Sequence, residues 1–366
     1  SYDITDFAAP GTTHDLVVYA QSDLRGMRQP AGKQSLVLGS HDCEYTRTTG
    51  IWQTVWMEPV AENGLKSVQV NTDIDQKQLV VRPLFYREGA SGLRITLTDP
   101  TSPKKPVAQK TVSAANSSVA VLPLKTVKTW SPEDPFLYDL SYQVIDKDGN
   151  VLDDIKSYVG MRKVHIEGNR VYLNNVPYYQ RLVLDQGYYP QSQWTAPSDE
   201  ALKHDIELSK SAGFNGARLH QKVFEERFHY WADKLGYLTW GEEASWVLNI
   251  NNELAVRNFL TEWAEIVVRD RNHPSLVTWT PLNETWNATP GVYVRFVNDL
   301  YALTKAIDPT RPINDASGDS HVKTDIWSVH DYTREPDKLI ANHTIKAGVE
   351  PYRNMKDKDF LSKYEG

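Results

Sequence analysis

The chain has 366 residues, more than one hydrophobic core usually organises, so we expect two or three domains. Its net charge of −7 excludes the broad basic surface that tracks nucleic-acid phosphates, and no apolar run is long enough to cross a membrane. Cys43 is the only cysteine, so no intrachain disulfide can form and an oxidising compartment is not implied. A cytoplasmic location is favoured, with a periplasmic or secreted one left open.

The first part of the chain is predicted to be all-β. Short segments rich in aromatic and β-branched residues recur there, separated by turn residues such as those at 62–64 and 146–149. The spacing over 61–166 is typical of a β-sandwich, whereas 1–60 holds too few strands to close a sheet and is predicted to be the last part of a β domain. The predicted strands cover residues 14–20, 51–58, 67–71, 78–85, 93–98, 118–124, 137–145 and 158–166.

From residue 167 to residue 366 the pattern changes to repeated β/α units. Apolar strand-like runs alternate with helices of 3.6-residue period. One helix is predicted over 199–212, with Ser198 as its N-cap and Gly213 just past its end. Three more are predicted from apolar faces at Phe224, Phe228, Trp231 and Leu235, at Val256, Leu260, Trp263 and Val267, and at Phe296, Leu300, Leu303 and Ile307. The predicted strands cover 178–184, 214–219, 237–240, 276–281, 312–314 and 325–329.

Parallel strands of this kind belong either to an open doubly wound sheet or to part of a (β/α)8 barrel. Polar groups at every strand end favour the barrel, because all strand ends form its active-site floor, while an open sheet concentrates such groups at one switch point. No Gly-rich phosphate loop follows any of the strands. We therefore predict an incomplete (β/α)8 TIM barrel, strands one to six, over 167–366. The polar residues are Asp185, His220, Glu242, Glu243, Asn283, Glu284, Asp315, His330 and Asp331.

Glu284 is the predicted catalytic residue. It follows the apolar fourth strand, where a carboxylate points into the barrel mouth. The second Asn-Glu pair, at 252–253, opens a helix, and capping is a sufficient explanation for it. Cleavage of a glycosidic bond needs a proton donor at the leaving oxygen and a second carboxylate at the anomeric carbon. Trp279 and Trp286 flank Glu284 and are expected to supply apolar walls around it.

Several motifs resemble glycoside hydrolase family 2, the family of β-galactosidases, β-glucuronidases and β-mannosidases, and together they extend over essentially the whole chain. They are Lys-Gln at 33–34, Thr-Thr-Gly-Ile-Trp-Gln-Thr-Val-Trp at 48–56, Trp-Ser-Pro-Glu-Asp-Pro-Phe-Leu-Tyr at 130–138, Gly-Phe-Asn at 213–215 with Arg218 and His220, and Arg-Asn-His-Pro-Ser at 271–275 leading into Asn283 and Glu284. The resemblance implies that 1–60 is the C-terminal part of a jelly-roll sugar-binding domain and that 61–166 is an immunoglobulin-like β-sandwich.

The resemblance also implies a retaining β-glycosidase, β-galactosidase-like, that cleaves terminal β-glycosidic bonds with Glu284 as acid/base. The family's nucleophile is a Glu at the end of strand seven. Because six strands are predicted here, the nucleophile is expected beyond residue 366, and residues 1–366 alone are expected not to turn over a glycoside.

The sugar itself stays open, because the runs at 184–187 and 218–222 depart from the family's common pattern. A β-glucuronidase, a β-mannosidase and a non-catalytic carbohydrate-binding protein are the alternatives. The expected partner is a carbohydrate with a terminal β-linked sugar, and a homo-oligomer is compatible with the sequence. No cofactor is predicted, and no metal either, since the histidines lack metal-ligand spacing. The predicted substrate-binding residues are Asn283, Asp185, Arg218, His220, Glu242, His330 and Trp286.

Overall fold

The computed structural model describes residues 2–9, 11–285, 289–318 and 321–342. Its first folded unit is made of two antiparallel sheets that pack on one hydrophobic core. The strands are β1 (Leu65–Asp73), β2 (Gln78–Phe85), β3 (Gly92–Thr98), β4 (Pro106–Ser113), β5 (Ala120–Pro123), β6 (Tyr138–Ile145) and β7 (Val151–Val159). One sheet has the order β1-β2-β5 and the other β4-β3-β6-β7. This is the β-sandwich that the strand spacing predicts.

Period-two burial explains why these segments form strands. In β3, Leu93, Ile95 and Leu97 are fully buried, and the residues between them are partly exposed. In β6, Tyr142 and Val144 are buried in the same way. Successive side chains of a strand point to opposite faces, so each strand presents one apolar face to the core.

Two strands of the sandwich were not predicted, and one predicted strand is wrong. Most residues of β4 and β7 are exposed or only partly buried. Since neither strand buries a full face, neither sequence shows the alternation of apolar and polar residues that predicts a strand. The predicted strand at 158–166 is interrupted, because β7 ends at Val159 and the next strand begins at Val164. Gly160 lies in that interruption, where a Cβ atom would come within 2.8 Å of the Pro274 side chain.

The strands predicted at 14–20 and 51–58 are also wrong. Residues 11–60 contain only isolated bridges in the structure, such as the one between Gln34 and Tyr45. The apolar side chains of Leu16, Val17 and Trp56 are exposed. A strand needs a neighbour to accept its backbone hydrogen bonds, and neither segment has one among the described residues. The jelly-roll assignment of 1–60 therefore stays a prediction.

A small antiparallel sheet connects the sandwich to the β/α domain. It has the order β10-β9-β8, with β8 (Val164–Glu167), β9 (Arg170–Leu173) and β10 (Val176–Pro177). Val164 and Leu173 pack with Trp130 of the sandwich side and with Leu238 and Val277 of the following domain. The two units therefore share a hydrophobic contact.

The second unit alternates strands and helices. Its strands are β11 (Leu182–Asp185), β12 (Gly216–Leu219), β13 (Leu238–Glu242), β14 (Leu276–Thr280), β15 (Leu282–Asn283) and β16 (Ala316–Ser317). Its helices are α1 (Asp199–Ser211), α2 (Glu226–Leu235), α3 (Glu253–Asp270), α4 (Pro290–Ile307) and α5 (Pro336–Asn342). Strands β11 to β14 form a parallel sheet in chain order, and β15 pairs in parallel with β16.

The predicted helix ends agree closely with the structure. The Ser198 side chain accepts a hydrogen bond from Ala201 N at the start of α1, and the Asn252 side chain caps α3 in the same way. Helix α2 begins after Phe224, which the apolar pattern had included, and ends at Gly236 with φ 67°. A Cβ atom at Gly236 would lie 2.4 Å from Pro132 O, so only glycine fits this position.

Fewer barrel strands form than the sequence predicts. The fifth predicted strand, 312–314, makes one parallel bridge, between Ile313 and Trp279. The sixth, 325–329, is not a strand. Asp325 N and Ile326 N both donate to the one oxygen of Ile313, whereas a ladder uses successive acceptors. Side chains take neighbouring backbone groups, since Ile313 N donates to Asp325 Oδ2 and Asn314 Nδ2 donates to Ile326 O. The described residues thus form an open parallel sheet and no closed barrel.

Candidate active site

The carboxyl ends of β12, β13 and β15 carry the predicted functional residues to one edge of the sheet. Arg218 and His220 come from the end of β12, Glu242 is the last residue of β13, and Asn283 is the last residue of β15. Glu284 follows directly, and its backbone N donates to Ser317 O of β16 at 2.9 Å. Because parallel strands end at the same edge, these side chains come together although they are far apart in sequence.

Glu284 lies at the centre of a hydrogen-bonded group. His330 Nδ1 is 2.5 Å from Glu284 Oε1, and the Tyr332 hydroxyl donates to the same oxygen at 3.3 Å. Asn283 Nδ2 donates to Glu284 Oε2 at 3.3 Å. The Ser317 hydroxyl lies 3.1 Å from His330 Nε2 and so fixes the far side of the imidazole. These contacts hold both carboxyl oxygens in one orientation.

The backbone of Glu284 is unusual. Its φ of 44° lies in the left-handed region, which a residue with a Cβ atom occupies only at a cost of about 1–3 kcal/mol. The side chain keeps 18% of its surface exposed, so a ligand can reach the carboxyl group. Gly318 lies alongside, where a Cβ atom would be 3.3 Å from Glu284 Cγ. The fold therefore stores backbone strain at the residue that the sequence singles out.

Behind Glu284, a buried ion pair orients Asn283. Arg218 Nη1 contacts Glu242 Oε2 and also donates to Asn283 Oδ1 at 3.2 Å. His220 Nδ1 and the backbone N of Gln221 each lie 3.0 Å from Glu242 Oε1. With its acceptor oxygen held by Arg218, Asn283 directs its amide NH₂ group towards Glu284. Glu242 itself makes no hydrogen bond to Glu284 and acts through Arg218 and Asn283.

The electrostatics of this group follow from its burial. Burial alone raises the pKa of Glu242, but the Arg218 charge and the hydrogen bonds from His220 and Gln221 outweigh it and hold that pKa below its ordinary value. Burial lowers the pKa of His220, and the bond to Glu242 offsets this only in part. At neutral pH the group therefore contains an ionised Glu242 paired with Arg218 and a neutral His220.

The N-terminal segment adds three contacts to the site that the sequence did not reveal. The backbone N of Ala31 donates to Trp246 O at 3.1 Å, and the backbone N of Gly32 donates to Ala244 O at 3.0 Å. The Lys33 ammonium then lies 5.3 Å from the centre of the Trp246 ring. Trp246 Nε1 donates to Asn283 O at 3.1 Å, so the segment packs directly on the residue before Glu284.

Two predicted residues lie apart from Glu284. Asp185 accepts a hydrogen bond from Gly187 N at 2.9 Å and forms none with Glu284 or Asn283. Burial raises the pKa of Asp185 to about 6. Trp279, expected to wall the site, instead lies in the core, where its ring packs edge-on against Trp263 and its Nε1 donates to Asp308 Oδ2 at 2.8 Å. The prediction that Trp279 walls the site is wrong. Successive residues of β14 point to opposite faces of the sheet, and Trp279 lies on the face that packs against α3.

The structure thus brings most of the predicted site residues into one group. At the same strand end, burial raises the pKa of Glu243 well above its ordinary value, and the charge of Glu262 on α3 adds to this effect. Trp286 lies outside the described residues. Tyr332, Ser317 and Trp246 join the site without having been predicted. The predicted residues that lie together are Glu284, Asn283, Arg218, His220, Glu242 and His330.

Neither a metal centre nor a membrane segment is found in the part of the chain that the structure describes. No three His, Cys, Asp or Glu side chains there converge to hold an ion. Likewise, no helix within those described residues is both long and apolar enough to span a bilayer.

Fold and site together define a β-sandwich followed by a parallel β/α domain with acid–base side chains at its strand ends. Two family models match this organisation. The one described as glycosyl hydrolases family 2 matches residues 53–162, and the one described as glycosyl hydrolases family 2, TIM barrel domain matches residues 164–363. The chain belongs to glycosyl hydrolases family 2, as its motifs predict.

Curated relatives include β-galactosidases from several microorganisms. The one from Photobacterium profundum is 27% identical over 213 residues, which is 56% of this chain and 20% of the relative. The one from Lactococcus lactis is 25% identical over 289 residues, which is 76% of this chain and 28% of the relative. The chain therefore spans less than a third of the length of these relatives.

Solved structures with the same fold include two β-glucuronidases. The enzyme from Ruminococcus gnavus, in complex with N1-substituted uronic isofagomine, superposes with a TM-score of 0.66 at 20% identity and covers 83% of this chain and 51% of that one. The enzyme from Dictyoglomus thermophilum gives a TM-score of 0.58 at 24% identity and covers 68% of this chain and 43% of that one. At these identities the likeness concerns the fold alone.

Proposed function

We propose that this chain carries the acid/base half of a retaining β-glycosidase that removes terminal β-linked sugars. The observation that carries the proposal is the environment of Glu284. This strand-end carboxyl group is partly open to solvent, its two oxygens are held by His330, Tyr332 and Asn283, and its backbone is strained. General acids of glycosidases need such fixed placement beside the leaving oxygen.

In the first step Glu284 gives its proton to the glycosidic oxygen as the bond from that oxygen to the anomeric carbon breaks. A second carboxylate attacks the anomeric carbon and forms a glycosyl–enzyme ester. In the second step the ionised Glu284 takes a proton from water, whose oxygen displaces the enzyme carboxylate. The family pattern implies that the nucleophile is a glutamate at the end of strand seven, and we therefore place it outside the described residues.

Asn283 is proposed to bind a sugar hydroxyl beside the anomeric carbon. Its Oδ1 is held by Arg218, so its NH₂ group is fixed next to Glu284. Ionised Glu242 keeps Arg218 in place, and His220 in turn holds Glu242. Arg218, His220 and Glu242 then serve substrate binding mainly by positioning Asn283. Asp185 and Trp286 remain proposed sugar contacts.

The proposed mechanism predicts retention of configuration at the anomeric carbon. Two displacements, each with inversion, return the β-anomer, and they need two carboxylates about 5 Å apart. Proton NMR of the first-formed product from an aryl β-glycoside, followed before mutarotation, gives the result. An initial α-anomer rules out the double displacement while leaving glycoside hydrolysis itself intact.

For the sugar, we propose a β-galactoside first and a β-glucuronide or a β-mannoside as alternatives. Supporting the first choice, the curated relatives named above are β-galactosidases. The full-length protein is expected to hydrolyse 4-nitrophenyl β-galactoside with a higher kcat/KM than the corresponding glucuronide or mannoside. A higher value for another sugar overturns the choice of sugar. Binding of β-galactosides without turnover of any glycoside favours the carbohydrate-binding alternative.

A further inference from the structure

A cavity of about 470 Å³ lies between the β-sandwich and the β/α domain, within the volume range of small-molecule sites. It is lined by β1, β2, residues 159–164, the loop at 271–274 and residues 310–311. The loop at 271–274 precedes β14, whereas Glu284 lies beyond the carboxyl end of that strand. The cavity is therefore separate from the candidate active site.

The cavity is cationic in a chain whose net charge is −7. Two of its lining cations have carboxylate partners: Lys163 Nζ is 2.6 Å from Asp75 Oδ2, and Arg311 Nη1 is 2.6 Å from Asp308 Oδ2. The other three lining cations, Arg82, Arg162 and Arg271, form no ion pair with any described residue. Asp73, the remaining lining carboxylate, accepts a hydrogen bond from Gln76 N. The lining cations are Arg82, Arg162, Lys163, Arg271 and Arg311.

Carbonyl oxygens only partly satisfy the unpaired guanidinium groups. Arg162 is buried and donates to Pro274 O at 2.9 Å and to Leu276 O at 2.7 Å. Arg271 Nη1 donates to Ile307 O at 3.3 Å, while its Nε is buried with no acceptor among the described residues.

Burial lowers the pKa of both Arg162 and Arg271; the nearby charge of Arg311 adds to this effect, and the carboxylate of Asp308 opposes it in part. Both side chains stay charged nonetheless, because arginine is not deprotonated in proteins. A buried charge with no ion-pair partner in contact is costly, so the cavity is suited to hold an anion.

We propose that this interdomain cavity binds a small multivalent oxyanion, either free phosphate or the phosphate group of a small phosphorylated molecule. Guanidinium groups bind phosphate oxygens through paired N–H donors, and three of them line this cavity without an ion-paired carboxylate among the described residues. No aromatic side chain is among the described lining residues, so the cavity offers no platform for stacking a nucleotide base. Because Arg82 belongs to the sandwich and Arg271 to the β/α domain, the bound anion holds the two units together.

The test is isothermal titration of the full-length protein with pyrophosphate, phosphate and glucose 6-phosphate at constant ionic strength, with thermal unfolding alongside. We expect saturable heat, and a saturable rise in Tm of roughly 5 °C, because a ligand that binds only the folded state stabilises it. Tenfold tighter binding of glucose 6-phosphate than of phosphate identifies a phosphorylated molecule as the ligand. The reverse order identifies the free ion.

Two variants and a matched control decide whether the cavity is the site. Arg82→Gln and Arg271→Gln are each expected to weaken binding at least tenfold. Arg87→Gln changes an exposed arginine just after β2 that does not line the cavity, and should bind like the unchanged protein. Arg82 is exposed, so its variant folds even if Arg271→Gln does not. Equal affinity in Arg82→Gln and Arg87→Gln, or no saturable heat with any phosphate, overturns the proposal.

Discussion

Replacing Glu284 with Gln is expected to lower the turnover of an unactivated β-glycoside by roughly 10²–10⁴-fold, the range that a positioned general acid contributes. Glutamine keeps the size of the side chain and can still meet His330 and Tyr332, but it cannot release a proton to the leaving oxygen. Binding should change little. The loss is therefore expected in kcat more than in KM.

The leaving group supplies the sharper measurement. A 2,4-dinitrophenolate leaves without protonation. The rate of the glycosylation step in Glu284→Gln should therefore fall much less for a 2,4-dinitrophenyl glycoside than for a methyl glycoside. Pre-steady-state rates for the two substrates, measured on the full-length enzyme, separate this step from deglycosylation. Glu253→Gln is the matched control, because Glu253 also follows an asparagine but is exposed at the start of α3. Equal losses for both leaving groups contradict the acid role.

The position of Glu284 was predictable because it depends on local pattern. An apolar run marks β14, and a polar residue just after a buried parallel strand lies at the sheet edge wherever the other strands are. The same reasoning placed His220 and Glu242 beside it, and the structure brings all three into one group through Arg218 and Asn283.

Contacts made by side chains from distant segments were not predictable in the same way. Trp246 and Lys33 meet because the backbone at 31–32 bonds to the loop after β13, and no periodicity signals such a contact. Tyr332 follows the sixth predicted strand by three residues, and the His-Asp-Tyr run there was the one available signal for it. That strand itself does not form: Asp325 N and Ile326 N share one backbone acceptor, and the side chains of Asp325 and Asn314 take neighbouring backbone groups.

A buried carboxylate away from the candidate active site connects the two folded units, and no pattern in the sequence indicated it. Asp233, in α2, is fully buried and accepts hydrogen bonds from the Tyr158 hydroxyl at 2.8 Å and from Ser275 N at 2.9 Å. His273 Nδ1 lies 2.6 Å from the same carboxylate. Tyr158 belongs to β7 of the sandwich, so Asp233 joins the two folded units.

Asp233→Ala is expected to destabilise the protein by about 3–5 kcal/mol, because removing one partner of a buried pair leaves the other charged or polar groups unsatisfied. Tyr158, His273 and Ser275 would each lose an acceptor. The free energy of unfolding from urea titration measures the effect. Asp299→Ala, at an exposed position of α4, is the control and should change stability by less than about 0.5 kcal/mol. A similar small change in both variants contradicts the role given to Asp233.

The stability that Asp233→Ala loses should also depend on pH. Burial raises the pKa of Asp233, but the charge and hydrogen bond of His273 outweigh burial and hold this pKa below its ordinary value. The stability that ionised Asp233 contributes is therefore complete above about pH 4 and is lost as pH falls through the lowered pKa. Burial lowers the pKa of His273, but Asp233 outweighs burial and raises this pKa above 6.5. The stability that protonated His273 contributes is therefore complete below about pH 6.5 and is lost as pH rises through the raised pKa. Burial lowers the pKa of the stacked His229 to about 4, which keeps His229 neutral between these limits. Unfolding of the unchanged protein and Asp233→Ala should therefore differ most between about pH 4 and 6.5, and a difference independent of pH means that the ion pair contributes nothing.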